Sequence, residues 1–206
     1  MKNKLFIALM AIATLGVGMN ASAQAGISGS AHDFSGALWN TGGKICLPCH
    51  TTHSGSSALA PLWNHAETAV ATYTLYTSTT LDATMGQPGN ESKACLSCHD
   101  GTVALDSFGG VTGSTLMTGT AMVGTDLSND HPVSFDYTTA IATADGSLHN
   151  PSVDTTSLGD TIKADLLFGD SLECASCHDV HNEADNAGLL RIDNAGSALC
   201  LTCHNK

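Results

Sequence analysis

The sequence predicts a mostly coiled chain with a few short helices and minimal β-structure, organised by something other than side-chain packing. Three observations predict this. All 8 cysteines fall in four copies of Cys-x-x-Cys-His: Cys46-Leu47-Pro48-Cys49-His50, Cys95-Leu96-Ser97-Cys98-His99, Cys174-Ala175-Ser176-Cys177-His178 and Cys200-Leu201-Thr202-Cys203-His204. Aromatic residues make up 5% of the chain while glycine alone contributes 21 residues, so an ordinary core is poorly furnished against the entropy of ordering the backbone. Strongly periodic apolar stretches, the main signature of amphipathic helices and strands, are few.

Cys-x-x-Cys-His is the attachment signature of c-type haem. The two thiols add to the porphyrin vinyl groups, and the histidine becomes the proximal iron ligand. Cys46, Cys49, Cys95, Cys98, Cys174, Cys177, Cys200 and Cys203 are therefore the candidate attachment residues for four haem c groups, with His50, His99, His178 and His204 on the irons. Competing readings explain less. Structural zinc uses paired cysteines but does not call for a histidine after the second one four times over. A disulfide framework leaves the histidines without a role, and a redox dithiol needs one pair on a βαβ unit. Four apolar porphyrin faces replace side-chain core, as metals or disulfides do in other weakly cored domains. The expected fold class is thus a multihaem cytochrome c, mostly coil, with the haems forming the core.

Met1-Lys2-Asn3-Lys4 is basic, Leu5 to Val17 is largely apolar but short for a membrane span, and Ala21-Ser22-Ala23 is a small-x-small cleavage site. Residues 1–23 are read as a signal peptide, with no membrane span after cleavage, and 24–206 as one tetrahaem domain. Export fits haem attachment outside the cytoplasm. Within the domain, 24–110 carries motifs 1 and 2, 111–170 is a loop-rich segment without a haem motif, and 171–206 carries motifs 3 and 4. The formal charge of −12 becomes more negative when Lys2 and Lys4 leave. Nucleic acid and anionic membranes are poor partners for such a surface; basic redox partners or cationic minerals suit it.

Motifs 1 and 3 extend to Cys-x-x-Cys-His-x-x-His, ending at His53 and His181, a weak internal repeat that suggests two haem-pair modules. Ser92, Ser171 and Ser197 each lie three residues before a motif and read as N-caps of short helices; Gly43 holds that place in motif 1. Thr72 to Thr77 and Val133 to Tyr137 have β-like composition. Asp126 to Asp130 is acidic but lacks a full calcium-ligand spacing.

Beyond the four proximal ligands, six histidines remain: His32, His53, His65, His131, His149 and His181. Only Met85, Met117 and Met122 follow the leader, so histidine supply exceeds demand and methionine falls short. Bis-histidine ligation is expected, giving low-potential haem without an open iron site. His53 and His181 each lie three residues after a proximal histidine. They cannot reach the same iron, but they can reach that of a neighbouring haem. His131 precedes Pro132 and is biased to extended backbone, which suits a ligand projecting from a loop. His32, near the mature N-terminus, can reach across to another subunit. His149 sits in a turn-like His-Asn-Pro.

The His32-Asp33 start, Cys46-Leu-Pro-Cys-His-Thr-Thr-His53, Pro61-Leu-Trp-Asn64, Cys95-Leu-Ser-Cys-His-Asp-Gly101, Asp130-His-Pro-Val133 and Cys174-Ala-Ser-Cys-His-Asp-Val-His181 together resemble the small outer-surface tetrahaem cytochromes of metal-reducing bacteria, including the filament-forming nanowire members. The resemblance spans most of the chain beyond the leader. It implies a secreted cytochrome with little secondary structure and a continuous haem stack. In filament-forming members, subunits join so that haems run unbroken along the polymer, and a histidine of one subunit can ligate a haem of the next. Carried over by motif, the distal set is His32, His53, His131 and His181, with His65 as the rival. The leading expectation is electron transfer through four closely stacked haems, as a subunit of an extracellular conductive homopolymer. The alternatives are a monomeric periplasmic shuttle and, less favoured, a multihaem reductase. No Cys-x-x-Cys-Lys marks an active-site haem, and no enzyme activity is expected.

Overall fold

The computed structural model describes residues 26–206; the expected signal peptide, 1–23, lies outside the described residues. Most of the described chain is coil and turn. Five α-helices punctuate it: α1 (Asn90–His99), α2 (Thr139–Asp145), α3 (Ile162–Leu166), α4 (Cys174–Cys177) and α5 (Ala198–Cys203). Two-residue strands β1 (Phe135–Asp136) and β2 (Ser171–Leu172) form an antiparallel pair, Phe135 opposite Leu172 and Asp136 opposite Ser171. Short 3₁₀ turns cover Phe34–Gly36, Ala187–Leu189 and Ala195–Ser197. None of the helices among the described residues is long and apolar enough to cross a membrane.

The helices lie where the motifs lie, but two of the expected caps are wrong. Ser92 is inside α1, whose N-cap is Gly89; its hydroxyl instead donates to the Glu173 carboxylate. Ser171 belongs to β2, and Glu173 caps α4. Ser197 does cap α5, though with φ +65° and no side-chain cap bond. Of the two β-like stretches, Val133 to Tyr137 contains β1, whereas Thr72 to Thr77 contributes a single bridge, Thr74 to Asp126.

The segment between motifs 2 and 3 holds more structure than its composition suggests. Thr138 and Thr161 accept the Ile141 and Ala164 N–H groups and so start α2 and α3. Gly146, left-handed at φ +70°, ends α2. Phe135, Tyr137, Ala142, Ile162, Leu166, Leu167, Leu172 and Ile192 form a buried cluster, on which Leu199 and Cys203 of the fourth motif's helix also pack. The Tyr137 hydroxyl donates to the His149 and Cys203 carbonyls at 2.5 and 3.3 Å, tying this cluster to motif 4. A smaller cluster of Tyr73, Leu96 and Leu127 backs motif 2. There Asp100 accepts from Tyr73 Oη at 2.7 Å and from Thr68 Oγ1 at 2.5 Å.

α4 packs on both α1 and α3, so motifs 2 and 3 stand back to back. The first thiols of these motifs, Cys95 and Cys174, are neighbours, and their interaction raises Cys95 and lowers Cys174.

Ile162 is fully buried at 0% exposure. Ile162→Ala is expected to destabilise the protein by about 2–5 kcal/mol, read as a lower midpoint in chemical denaturation of the mature protein.

Candidate haem-binding site

A single local device recurs at all four motifs. A helical turn puts residues i, i+3 and i+4 on one face, which brings both thiols and the imidazole together. The closing bond runs from the histidine N–H to the first cysteine's carbonyl: His50 to Cys46 at 2.8 Å, His178 to Cys174 at 3.0 Å and His204 to Cys200 at 2.9 Å. Motif 2 lies wholly within α1. Motif 1 makes the turn without an assigned helix. No disulfide joins any of the eight cysteines. Burial pushes Cys49 up to about 11 and Cys98 and Cys203 up to about 12, with neighbouring thiols, and for Cys98 also Asp100, adding to it.

Backbone carbonyls then fix the rings. His50 Nδ1 lies 2.7 Å from the Pro61 carbonyl, His99 Nδ1 2.7 Å from that of Ala121 and His178 Nδ1 2.9 Å from that of Gly188. A carbonyl only accepts, so Nδ1 carries the hydrogen and Nε2 keeps a free lone pair. His131 makes the same contact with the Pro132 carbonyl at 2.9 Å. Burial chiefly, then its histidine and lysine neighbours, lowers His204, against a weaker opposing pull from Asp145.

Three motif histidines face non-motif histidines. Ring centroids are 6.3 Å apart for His50 and His181, 6.0 Å for His99 and His32, and 6.3 Å for His204 and His131. Two imidazoles bonded from opposite sides to one metal at about 2 Å, each centroid about 1.1 Å behind its nitrogen, have centroids about 6 Å apart. The residues thus fit a metal held between paired rings. His32 is pushed down to about 4, by burial first and then by His99, His178 and His181, which keeps it neutral, as a ligand must be.

The remaining histidines are placed differently. His178 and His53 are both exposed, and the structure does not bring them together. His65 is buried with Nδ1 2.8 Å from the Ala66 carbonyl and Nε2 3.0 Å from that of Ala104. His149 stands 3.5 Å from Asp154.

The repeat seen in motifs 1 and 3 extends to their surroundings. Thr51 N–H donates to the Leu62 carbonyl at 3.0 Å, and Asp179 N–H to that of Leu189 at 2.7 Å. Asn64 N–H reaches the Cys49 carbonyl and Arg191 N–H that of Cys177, both at 2.9 Å. In each loop the residue after the carbonyl that holds the imidazole is a leucine with positive φ, Leu62 at +55° and Leu189 at +56°. Gly55 permits the first loop, because a Cβ there would lie 2.6–2.7 Å from the Leu62 backbone. These carbonyl contacts had no sequence signal; a backbone acceptor can belong to any residue type.

Among known families, the one described as the doubled CXXCH motif matches residues 169–206, the stretch holding motifs 3 and 4. Comparison with curated proteins finds no match. The doubled motif carries covalently bound haem c and electron transfer, the chemistry of multihaem c-type cytochromes.

A left-handed leucine is strained by on the order of 1–3 kcal/mol. Leu62→Gly is expected to hold or slightly raise the melting temperature, although a side chain is lost. Leu62→Val is expected to lower it, because β-branching disfavours that backbone further. Thermal melts of the mature protein monitored by circular dichroism check both.

Proposed function

We propose that this chain conducts electrons through four covalent haems, each iron capped by two imidazoles, as a subunit of an extracellular conductive filament. Haem supplies one-electron exchange between ferric and ferrous iron without a substrate site. The observation that carries the reading is the three facing pairs, His50 with His181, His99 with His32 and His204 with His131, at one common separation. Each pair draws on distant segments, so ligation staples the coil in three dimensions. Imidazole on both sides favours low potential and leaves no iron open to substrate, which supports transfer over catalysis.

The fourth motif histidine supports the polymer. His178 and His53 are each exposed within one copy. His53 of one subunit against His178 of the next completes the fourth pair through a heterologous contact, the kind that propagates instead of closing when its rotation does not return on itself. The acidic surface, at −12 for the full chain, suits cationic acceptors or basic redox partners outside the cell.

Electron microscopy of the purified protein is expected to show filaments and magnetic resonance to show only low-spin iron. His53→Ala is expected to yield dispersed subunits with one five-coordinate, high-spin haem. His32→Ala, His131→Ala and His181→Ala are each expected to convert one haem to high spin, and His65→Ala none. Monomeric wild-type protein with four low-spin haems would replace the filament with a soluble shuttle. High-spin haem in the assembled wild type would favour an enzyme.

A further inference from the structure

Glu173 is buried at 4% exposure, immediately before Cys174 and against α1. Among the described residues no lysine, arginine or histidine pairs with it. Its carboxylate is instead held by serine hydroxyls. Ser92 and Ser134 donate to Oε2, the latter at 2.7 Å, and Ser171 donates to Oε1 at 2.7 Å.

Two of these hydroxyls are oriented from behind. Ser92 Oγ accepts the Cys174 N–H at 3.0 Å, and Ser134 Oγ accepts the Gly89 N–H at 3.2 Å. Each therefore receives one hydrogen from the backbone and directs its own at Glu173. The Glu173 N–H in turn donates to Ser176 Oγ at 2.9 Å. A carboxylate surrounded by aimed donors needs no proton of its own. Burying a charge without a cation is expensive unless such donors satisfy it, and Ser92 and Ser176 are themselves buried at 0% and 1%. The site is built to keep an anion.

Its position gives that anion a task. Ser92 lies three residues before Cys95 in α1, and Glu173 lies one before Cys174 in α4. The carboxylate thus sits between the attachment helices of motifs 2 and 3. We propose that Glu173 is a positioning and potential-setting residue: its fixed negative charge stabilises the ferric state of the two haems carried on α1 and α4 and lowers their reduction potentials. This rests on the haem-conduit reading above. Net charge and hydrogen bonding around a haem are among the protein's means of tuning it, and the effect is strong where water does not screen it.

The test is Glu173→Gln in the mature, haem-loaded protein, followed by redox titration and film voltammetry. Two of the four components are expected to move to higher potential, by about tenfold in the one-electron equilibrium, or about 59 mV. The other two are expected to stay, and Asp82→Asn, at an exposed acid outside the site, is expected to move none. No shift, or an equal shift of all four, overturns the proposal. Should the glutamine variant fail to mature, infrared difference spectra of the unaltered protein with isotope-labelled glutamate decide the matter. Glu173 is the buried one of four glutamates, so an ionised-carboxylate band that responds to reduction is expected. A protonated carboxyl band at neutral pH overturns the proposal. Intact mass separates the two readings: a haem-free wild-type product sinks both, whereas haem-loaded protein with unmoved potentials sinks this one alone.

Discussion

One hydrogen bond organises the molecule, the bond from each motif histidine N–H back to the carbonyl of the first cysteine. It closes a single helical turn and thereby places two thiols and an imidazole on one face. Isolated turns of this length are unstable in water, because nucleation fixes several dihedrals for one bond. The turns persist through what surrounds them. α1 leans on the cluster of Tyr73, Leu96 and Leu127. α4 is wedged between α1 and α3. α5 packs on the cluster around Tyr137, whose hydroxyl reaches the Cys203 carbonyl. Motif 1 has no such helix partner and relies on backbone bonds to the Pro61–Asn64 stretch. The composition, poor in aromatics, is thus concentrated where a motif has to be held.

The attachment chemistry was legible from the sequence because it is local: five consecutive residues specify thiols, imidazole and turn. The coil-rich fold with short helices at motifs 2, 3 and 4 followed from the same five residues and from the scarcity of periodic segments. The helix starts were misread because serine three residues before a motif looks like a cap, and nothing local reveals that Glu173 claims the Ser92 hydroxyl from 81 positions away. The core contributed by residues 135–192 was underestimated for a related reason. Phe135, Tyr137, Ile162 and Leu172 are widely spaced, and only the fold gathers them. The facing histidine pairs are long-range as well. Histidine counting supplied candidates, but which ring meets which depends on loop paths, and no pattern announces that His65 lies between two backbone carbonyls.

Strain falls in the same places as function. Leu62 and Leu189 adopt the left-handed conformation, and in each case the preceding carbonyl, of Pro61 or Gly188, faces a motif imidazole. Reversing the chain there turns one carbonyl toward the ring while the leucine's own carbonyl accepts the N–H following the motif histidine. Two acceptors are aimed by one unfavourable residue. A leucine in that conformation survives only where surrounding bonds over-determine it, and these loops supply two such bonds each.

Motifs 1 and 3 share this local construction yet use their trailing histidines differently, and the difference is one of anchorage. After His178 comes Asp179, whose carboxylate accepts the His181 N–H at 3.0 Å and the Glu183 N–H at 2.8 Å. Asn182 then accepts the Gly26 N–H through its carbonyl at 2.9 Å. The loop is pinned from two sides, and His181 is delivered to His50. After His50 comes Thr51, which has one hydroxyl in place of two carboxylate oxygens, and it donates to the His53 carbonyl at 3.2 Å. The His53 ring is exposed. Carboxylate against hydroxyl at the residue after the motif histidine thus accompanies the contrast between the two loops: both trailing histidines are exposed, but the His181 ring lies beside His50 while the His53 ring pairs with no histidine among the described residues.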